Sequence, residues 1–259
     1  LGRVVPQGQL RFWGGRRGVV LPERVGDHVA DIASANWHAS AALAARYGDG
    51  LFVDIGSTTT DIIPLRGGRV QAAGYTDAER LACGELVYTG LTRSFVMALA
   101  ERAPFGGRWT TLAAEYFASA ADVHRILGTL EEEADQMDTA DGRPKTVAAS
   151  RVRLARMIGC DAAEGSDEDW YGLATWFAEQ QVRCIHDGAL LVLSGVRLPA
   201  DAPVIAAGVG GSIVRRLAER LGRPCVTFAG LFGEAGTAWA DACAPAVAVA
   251  LLGAGQELA

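Results

Sequence analysis

The chain has 259 residues, half of them hydrophobic, enough for one large or two small cores and too apolar for a disordered chain. Its net charge of −6 leaves no cationic surplus, which excludes a nucleic-acid backbone as principal ligand. Lys145 is the only lysine, so schemes with several amine nucleophiles are excluded; it lies in the polar stretch Asp141-Gly142-Arg143-Pro144-Lys145 and reads as solvated.

Cys83, Cys160, Cys184, Cys225 and Cys243 are odd in number, widely spaced and form no CxxC pair. They support neither a zinc ribbon nor a disulfide framework and fit a reducing cytoplasm. The longest apolar stretches, such as Ala244 to Gly253, fall short of the ~20 residues that span a bilayer, so no membrane partner is expected. Leu1-Gly2-Arg3-Val4-Val5 opens no targeting signal and begins in mid-pattern, so a further N-terminal part of the parent protein is expected.

In chain order, short strand pieces are expected at Leu10 to Trp13 and Val19 to Leu21. Ser34 can cap a helix through Trp37, Ala41, Leu43 and Ala44 to Tyr47, ended by Gly48. Leu51 to Ile55 is a strand, Gly56 to Thr59 a turn, and Asp61 to Leu65 a second strand. Gly67-Gly68 then makes a hairpin turn into Arg69 to Ala73. The stretch from about 77 to 160 reads as largely helical. Leu91, Phe95, Val96 and Leu99 fall at helical spacing, as do Leu112, Tyr116, Val123, Ile126 and Leu127. Its acidic break, Glu131 to Gly142, reads as an exposed loop, and residues 151–158 as another helix.

A long helix is expected from Trp170 to Leu193. A strand at Val204 to Ala207, a helix at Ser212 to Leu221, a strand at Cys225 to Phe228 and a last helix from Glu234 or Thr237 to Leu252 follow. Strands and helices alternating this closely predict parallel pairing with helical crossovers, an α/β fold. Trp37, Trp176 and Trp239 fall on apolar helix faces and read as core. His28, His38, His124 and His186 have no metal spacing and read as structural.

The chemistry concentrates in Asp54-Ile55-Gly56-Ser57-Thr58-Thr59-Thr60-Asp61. A strand delivers Asp54, Gly56 allows close approach of a ligand, and four consecutive hydroxyls line the turn. Such donors suit a phosphate or diphosphate, with a carboxylate at the edge for magnesium. The same residues also make an ordinary polar hairpin turn. A second segment, Ala206-Ala207-Gly208-Val209-Gly210-Gly211-Ser212, joins a strand to a helix whose N-terminal amides favour anions. It is not the dinucleotide fingerprint, because position 213 is Ile and no acidic residue follows at the usual distance.

Together these segments resemble the second phosphate motif and the adenosine motif of the actin, sugar-kinase and heat-shock ATPase superfamily. More narrowly, Ala35-Asn36-Trp37-His38-Ala39, Gly84-Glu85-Leu86-Val87-Tyr88-Thr89-Gly90, Arg153-Leu154-Ala155-Arg156-Met157 and Gly236-Thr237-Ala238-Trp239-Ala240-Asp241 resemble the hydantoinase/oxoprolinase-like proteins linked to tetrahydromethanopterin one-carbon transfer. That family includes the archaeal synthase of methanofuran biosynthesis. The resemblance implies an actin-like (ribonuclease H-like) fold, with residues 1–50 as a remnant of a first domain and 51–259 as a second carrying the helical insertion. Members open with an Asp-Ile-Gly-Gly phosphate loop that does not occur before Asp54. Either a preceding segment supplies it, or the chain cannot close a two-sided phosphate clamp.

The implied reaction joins the phenol oxygen of a glutamyl tyramine or tyrosine derivative to an aminomethylfuran methylene with loss of diphosphate. The roles that follow are magnesium at Asp54, with Asp61 as second candidate, and the leaving group on Gly56, Ser57, Thr58, Thr59 and Thr60. Gly208, Gly210, Gly211 and Ser212 would take the far side of the ligand, and Arg93 would pair with diphosphate. Glu85 would bind a substrate amine or accept the phenol proton; as alternatives, Glu85 complements a helix dipole and Arg93 is solvated. ATP replaces the organic diphosphate if the protein is a kinase or amide-ring hydrolase, and a non-catalytic phosphate-binding subunit is the remaining alternative. The expected partner is a small phosphorylated substrate, with homo-oligomerisation open.

Overall fold

The computed structural model describes residues 10–256; Leu1 to Val5, expected to continue an earlier pattern, lie outside them. The first elements are β1 (Phe12–Trp13), β2 (Val19–Val20), α1 (Val29–Ala33) and α2 (Asn36–Ala45). Ser34 does not cap α2. It closes α1, and Ala35 stands at the N-cap of α2 with no side-chain hydrogen bond.

Next come β3 (Gly50–Ile55), β4 (Thr60–Arg66) and β5 (Arg69–Val70). The β4–β5 hairpin turns on Gly67 and Gly68, whose φ angles of +61° and +72° are those a two-residue turn between strands demands.

The stretch 77–160 is less helical than its periodicity predicts. It contains α3 (Asp77–Cys83), β6 (Leu86–Val87), α4 (Val96–Leu99), a hairpin of β7 (Arg102–Phe105) and β8 (Arg108–Thr111), α5 (Ala120–Ile126) and α6 (Val147–Met157). Leu91 lies outside any helix because its backbone N–H donates to Gly56 O at 2.9 Å. Leu112 follows β8, whose hairpin turns on Gly106 and Gly107 with φ of +55° and +74°, the same glycine pair that signalled the β4–β5 hairpin.

The remaining elements are α7 (Asp167–Gly195), β9 (Val204–Gly208), α8 (Gly211–Leu221), β10 (Cys225–Thr227), α9 (Ala238–Ala242) and α10 (Ala244–Gln256). The single last helix expected from the sequence is thus two. Pro245 has no N–H to continue a helix from α9, but is accommodated in the first turn of α10.

The central sheet has the order β10-β9-β3-β4-β5, with β6 also on β4. The β3, β9 and β10 strands are parallel, whereas β4 and β5 run antiparallel. Phe52, Ile63 and Leu65 face α2 and α10, while Leu51, Val53, Ile55 and Ile62 face α7 and α8. Burial on both faces explains why β3 reads as a continuous apolar run rather than alternating.

A third core gathers Val96, Val123, Leu154, Trp170, Leu173 and Phe177. The 29-residue α7 therefore serves two cores, its first half in this one and its second half, through Val182, Ile185 and Ala189, under the sheet. Its start is set by Ser166, which accepts from Asp169 N while the Asp169 carboxylate accepts from Ser166 N; this reciprocal cap satisfies the first-turn donors.

The acidic stretch is not a free loop: Asp135 is buried and pairs with Arg125 at 2.6 Å, and Asp141 pairs with the fully buried Arg153 at 3.1 Å. Lys145 is not simply solvated, because its Nζ donates to the Asp135 carbonyl at 2.6 Å. Charge alternating with distant arginines thus folds this segment down, since buried guanidinium groups require carboxylate partners. Trp239 is 76% exposed, not core; Trp37 is buried as expected and Trp176 half-buried. No helix among the described residues is long and apolar enough to cross a membrane, and all five cysteines are free.

Candidate functional site

The site forms where β3 and β9 end. In register, Asp54 lies opposite Asp61 on one side and Ala207 on the other, so the two carboxylates share the sheet face that carries α2. Asp54 is 9% exposed and has no hydrogen-bond partner among the described residues. Burial, and then the nearby charge of Asp61, push its carboxyl up to about 7, because both disfavour the ionised form. Asp61 is also raised, by burial above all, although Arg80 pulls it back through a contact of 2.6 Å. That arginine is buried, stacks over Trp37 at 4.1 Å and also donates to Glu85 O. Asp61 is therefore engaged in a structural ion pair, and Asp54 is the free carboxylate of the two.

The turn after β3 closes through Gly56 N to Thr59 O at 3.0 Å. A second segment braces it: Leu91 N donates to Gly56 O, and the N–H groups of Thr92 and Arg93 donate to Ser57 O at 3.2 and 2.8 Å. Gly90 lies flat against the turn, where a Cβ would stand 2.5 Å from Thr58 N. Ser57, Thr58 and Thr59 remain partly accessible. Thr60 does not, since its buried hydroxyl donates to Thr89 O at 2.7 Å; its role is to hold the brace rather than a ligand.

A polar ladder supports the brace from below. Gln181 on α7 donates to Gly90 O at 2.8 Å and to Thr89 Oγ1 at 3.0 Å. A carbonyl only accepts, so the amide nitrogen of Gln181 must face Gly90, and its oxygen accepts from His124 Nε2 at 2.8 Å. Burial holds His124 below its ordinary pKa, and the neutral ring then accepts at Nδ1 from the Thr129 hydroxyl at 2.9 Å. Gln181→Leu strands the His124 N–H and leaves the Gly90 carbonyl with only the Ser94 hydroxyl at 3.2 Å, so a loss of about 1–3 kcal/mol is expected, read as a lowered urea midpoint at unchanged slope.

The second glycine segment meets the first directly. Gly210 N donates to Ile55 O at 3.0 Å, and a methyl group on Gly210 would overlap the Ile55 side chain. Gly208 has φ +79°, a conformation that L side chains rarely adopt. The helix α8 starts at Gly211 with no side-chain cap, so its first amides, with half-exposed Ser212, point outward at the ends of parallel strands. Crevices at that place in α/β sheets bind ligands, and free helix amides favour anions.

The chain matches the family model described as Hydantoinase/oxoprolinase over residues 7–248. It belongs to the hydantoinase/oxoprolinase family. Among its relatives, a Methanocaldococcus jannaschii protein called (4-{4-[2-(gamma-L-glutamylamino)ethyl]phenoxymethyl}furan-2-yl)methanamine synthase is 33% identical over 187 residues, 71% of this chain and 56% of that one. A Methanococcus vannielii protein of the same name is 35% identical over 124 residues, 48% of this chain and 55% of its own length. The chain thus spans about half the length of the curated relatives it matches.

The structure brings Asp54, Gly56 to Thr59, Gly208, Gly210, Gly211 and Ser212 of this hydantoinase/oxoprolinase-family chain together. Arg93 lies beside them, exposed, in a turn rather than on the expected helix. Glu85 stands apart: it is buried and its two carboxylate oxygens accept from Ala73 N at 2.6 Å and Gly74 N at 3.0 Å. It pins the loop before α3 instead of facing a substrate, and it follows the C-terminus of a helix rather than opening one. Sequence reasoning missed Gly90, Thr89, Arg80 and Gln181. Only Thr89 and Gly90 left a signal, within the Gly84 to Gly90 stretch; Arg80 and Gln181 are set by tertiary contacts.

Proposed function

We propose that the two glycine turns at the ends of β3 and β9 bind a diphosphate, and that the chain carries the catalytic residues of a transferase. It would join an aminomethylfuran diphosphate to the phenol oxygen of a glutamyl-tyramine or tyrosine acceptor. The observation that carries this is the Gly210 N to Ile55 O hydrogen bond, which sets two anion-type turns against each other around the unpartnered Asp54. The relatives' name supports it, since their product contains a phenoxymethyl bond to a furan. The fold supports it too. Three antiparallel strands followed by two parallel ones are the pattern expected of one actin-like domain, which on this reading would start at about residue 51 with 77–160 inserted.

In this reaction the bond between the furanylmethyl carbon and diphosphate oxygen breaks, its electron pair leaving with diphosphate. The phenol oxygen then bonds to that carbon, and its proton passes to the departing diphosphate. The furan ring stabilises positive charge on the methylene, so the protein's task is to hold the leaving group and orient the phenol. The amides and hydroxyls of Ser57, Thr58 and Thr59 hold one side of the diphosphate, and Gly211 and Ser212 the other, while the Gly56 and Gly210 amides are spent on Thr59 O and Ile55 O and shape the two turns.

The donor set also fits magnesium. No group of three or more His, Cys, Asp or Glu that could hold a metal occurs among the described residues, but magnesium commonly takes one or two carboxylates and completes its shell with phosphate oxygens and water. Asp54 would hold it, and Asp61 would add its charge. When bound, the ion neutralises charge on the leaving group.

Incubating the protein with an aminomethylfuran diphosphate and a phenolic acceptor should release diphosphate in step with ether product, followed by mass. Consumption of ATP in proportion to product would replace this reading with a kinase or hydrolase. Arg93→Ala should raise KM for the diphosphate about five- to tenfold and leave KM for the acceptor unchanged, as initial rates would show.

A further inference from the structure

The segment that braces the phosphate-type turn does not end at Arg93. Two residues on, Phe95 is held in place from both sides, since Ser94 O accepts from Ala120 N at 2.7 Å and Val96 N donates to Ala118 O at 3.1 Å. Phe95 is nonetheless 37% exposed. It is half covered by Tyr116, with ring centroids 4.3 Å apart and planes tilted by 37°. Tyr116 also lines a water-sized cavity together with Thr92, Asp122 and Arg125. A large apolar ring is thus left partly exposed by a fixed backbone, in the segment that braces the turn.

We propose that Phe95, backed by Tyr116, is the platform on which the phenol ring of the acceptor stacks. This rests on the transferase reading above and adds a specificity-determining residue to it. The furanylmethyl group does not suit the place, because its cationic carbon must be kept from water and this face is open. The acceptor suits it, for its polar glutamyl tail needs a way out to solvent while its ring needs an aromatic surface. Offset or tilted contact with the exposed part of Phe95 supplies that surface. Phe95 follows by two residues Arg93, whose N–H donates to Ser57 O at 2.8 Å, so the platform and the turn belong to one braced segment.

Saturation-transfer NMR with tyramine as probe, on the intact protein with inorganic diphosphate present, tests the platform without turnover. Wild type should transfer saturation to the ring protons. Phe95→Leu should weaken tyramine about three- to tenfold, whereas Phe95→Tyr, which keeps the ring, should restore it. The KM for the phenolic acceptor should rise by the same factor in Phe95→Leu, with KM for the furan diphosphate unmoved. Absence of tyramine binding to wild type, or equal binding by the leucine variant, overturns the platform even if diphosphate is released. Loss of tyramine binding in the leucine variant, with no diphosphate release by wild type, sustains the platform and removes the transferase reading.

Discussion

Asp54→Asn is expected to abolish diphosphate release and, in magnesium-free buffer above neutral pH, to make the protein more stable. The wild-type carboxyl is held at about 7 against its ordinary 3.8. Between those values the native protein retains a proton that the unfolded chain has released. Stability therefore falls as pH rises from about 4 to about 7 and stays level above, at ~1.4 kcal/mol per pH unit of displacement. An asparagine has nothing to ionise and removes this slope, for a gain of the order of a few kcal/mol at pH 8, or several degrees in Tm.

Thermal melts of both proteins at pH 5 and pH 8 check the sign: the curves should separate at pH 8 and approach each other at pH 5. Added magnesium should stabilise the wild type and leave the variant alone. Melting temperatures that differ equally at both pH values would remove the buried charge from the account, and turnover near that of wild type would remove its role at the leaving group.

The second large effect is expected at Gly208. A methyl group there would overlap both the Ile55 carbonyl and the Asp54 carboxylate, in a backbone with φ +79°. The Asp54 carboxylate could turn aside, but the Ile55 carbonyl is backbone, so β3 and β9 must part at the point where the two turns meet. Overpacking and left-handed strain together set a cost of about 2–4 kcal/mol. Gly211→Ala is the control: an added Cβ meets nothing within 4 Å, its φ is not positive, and it opens α8, where alanine is welcome. Chemical denaturation should find the first variant strongly destabilised and the second within about 0.5 kcal/mol of wild type. Equal stability of the two would mean that the glycine segment does not touch β3.

Much of this was legible in the sequence where the signal is local. Gly67-Gly68 marked its hairpin because only a residue tolerant of positive φ fits there. Asp54 and the hydroxyl run, and the glycines after β9, were found by type and spacing. The strap from Glu131 to Lys145 was not, because its acidic residues look solvated until Arg125 and Arg153, placed on two other helices, claim them. Glu85 misled for the same reason: a carboxylate in a polar turn gives no sign that two backbone amides a dozen residues upstream already occupy it. The periodicity through Leu91 and Phe95 was genuine apolar patterning. It is met by a segment wrapped on the phosphate-type turn, whose hydrogen bonds win over helix formation.

The long helix α7 has a mechanical consequence. At ~1.5 Å per residue it is a rod whose two ends are sunk in different cores, and Gln181 projects from its middle onto the loop that shapes the turn. Tilting the Trp170 end by repacking must swing that amide as well. Rearrangement of the peripheral core and loosening of the turn after β3 are thus one motion, and slow amide exchange in the two should be lost together.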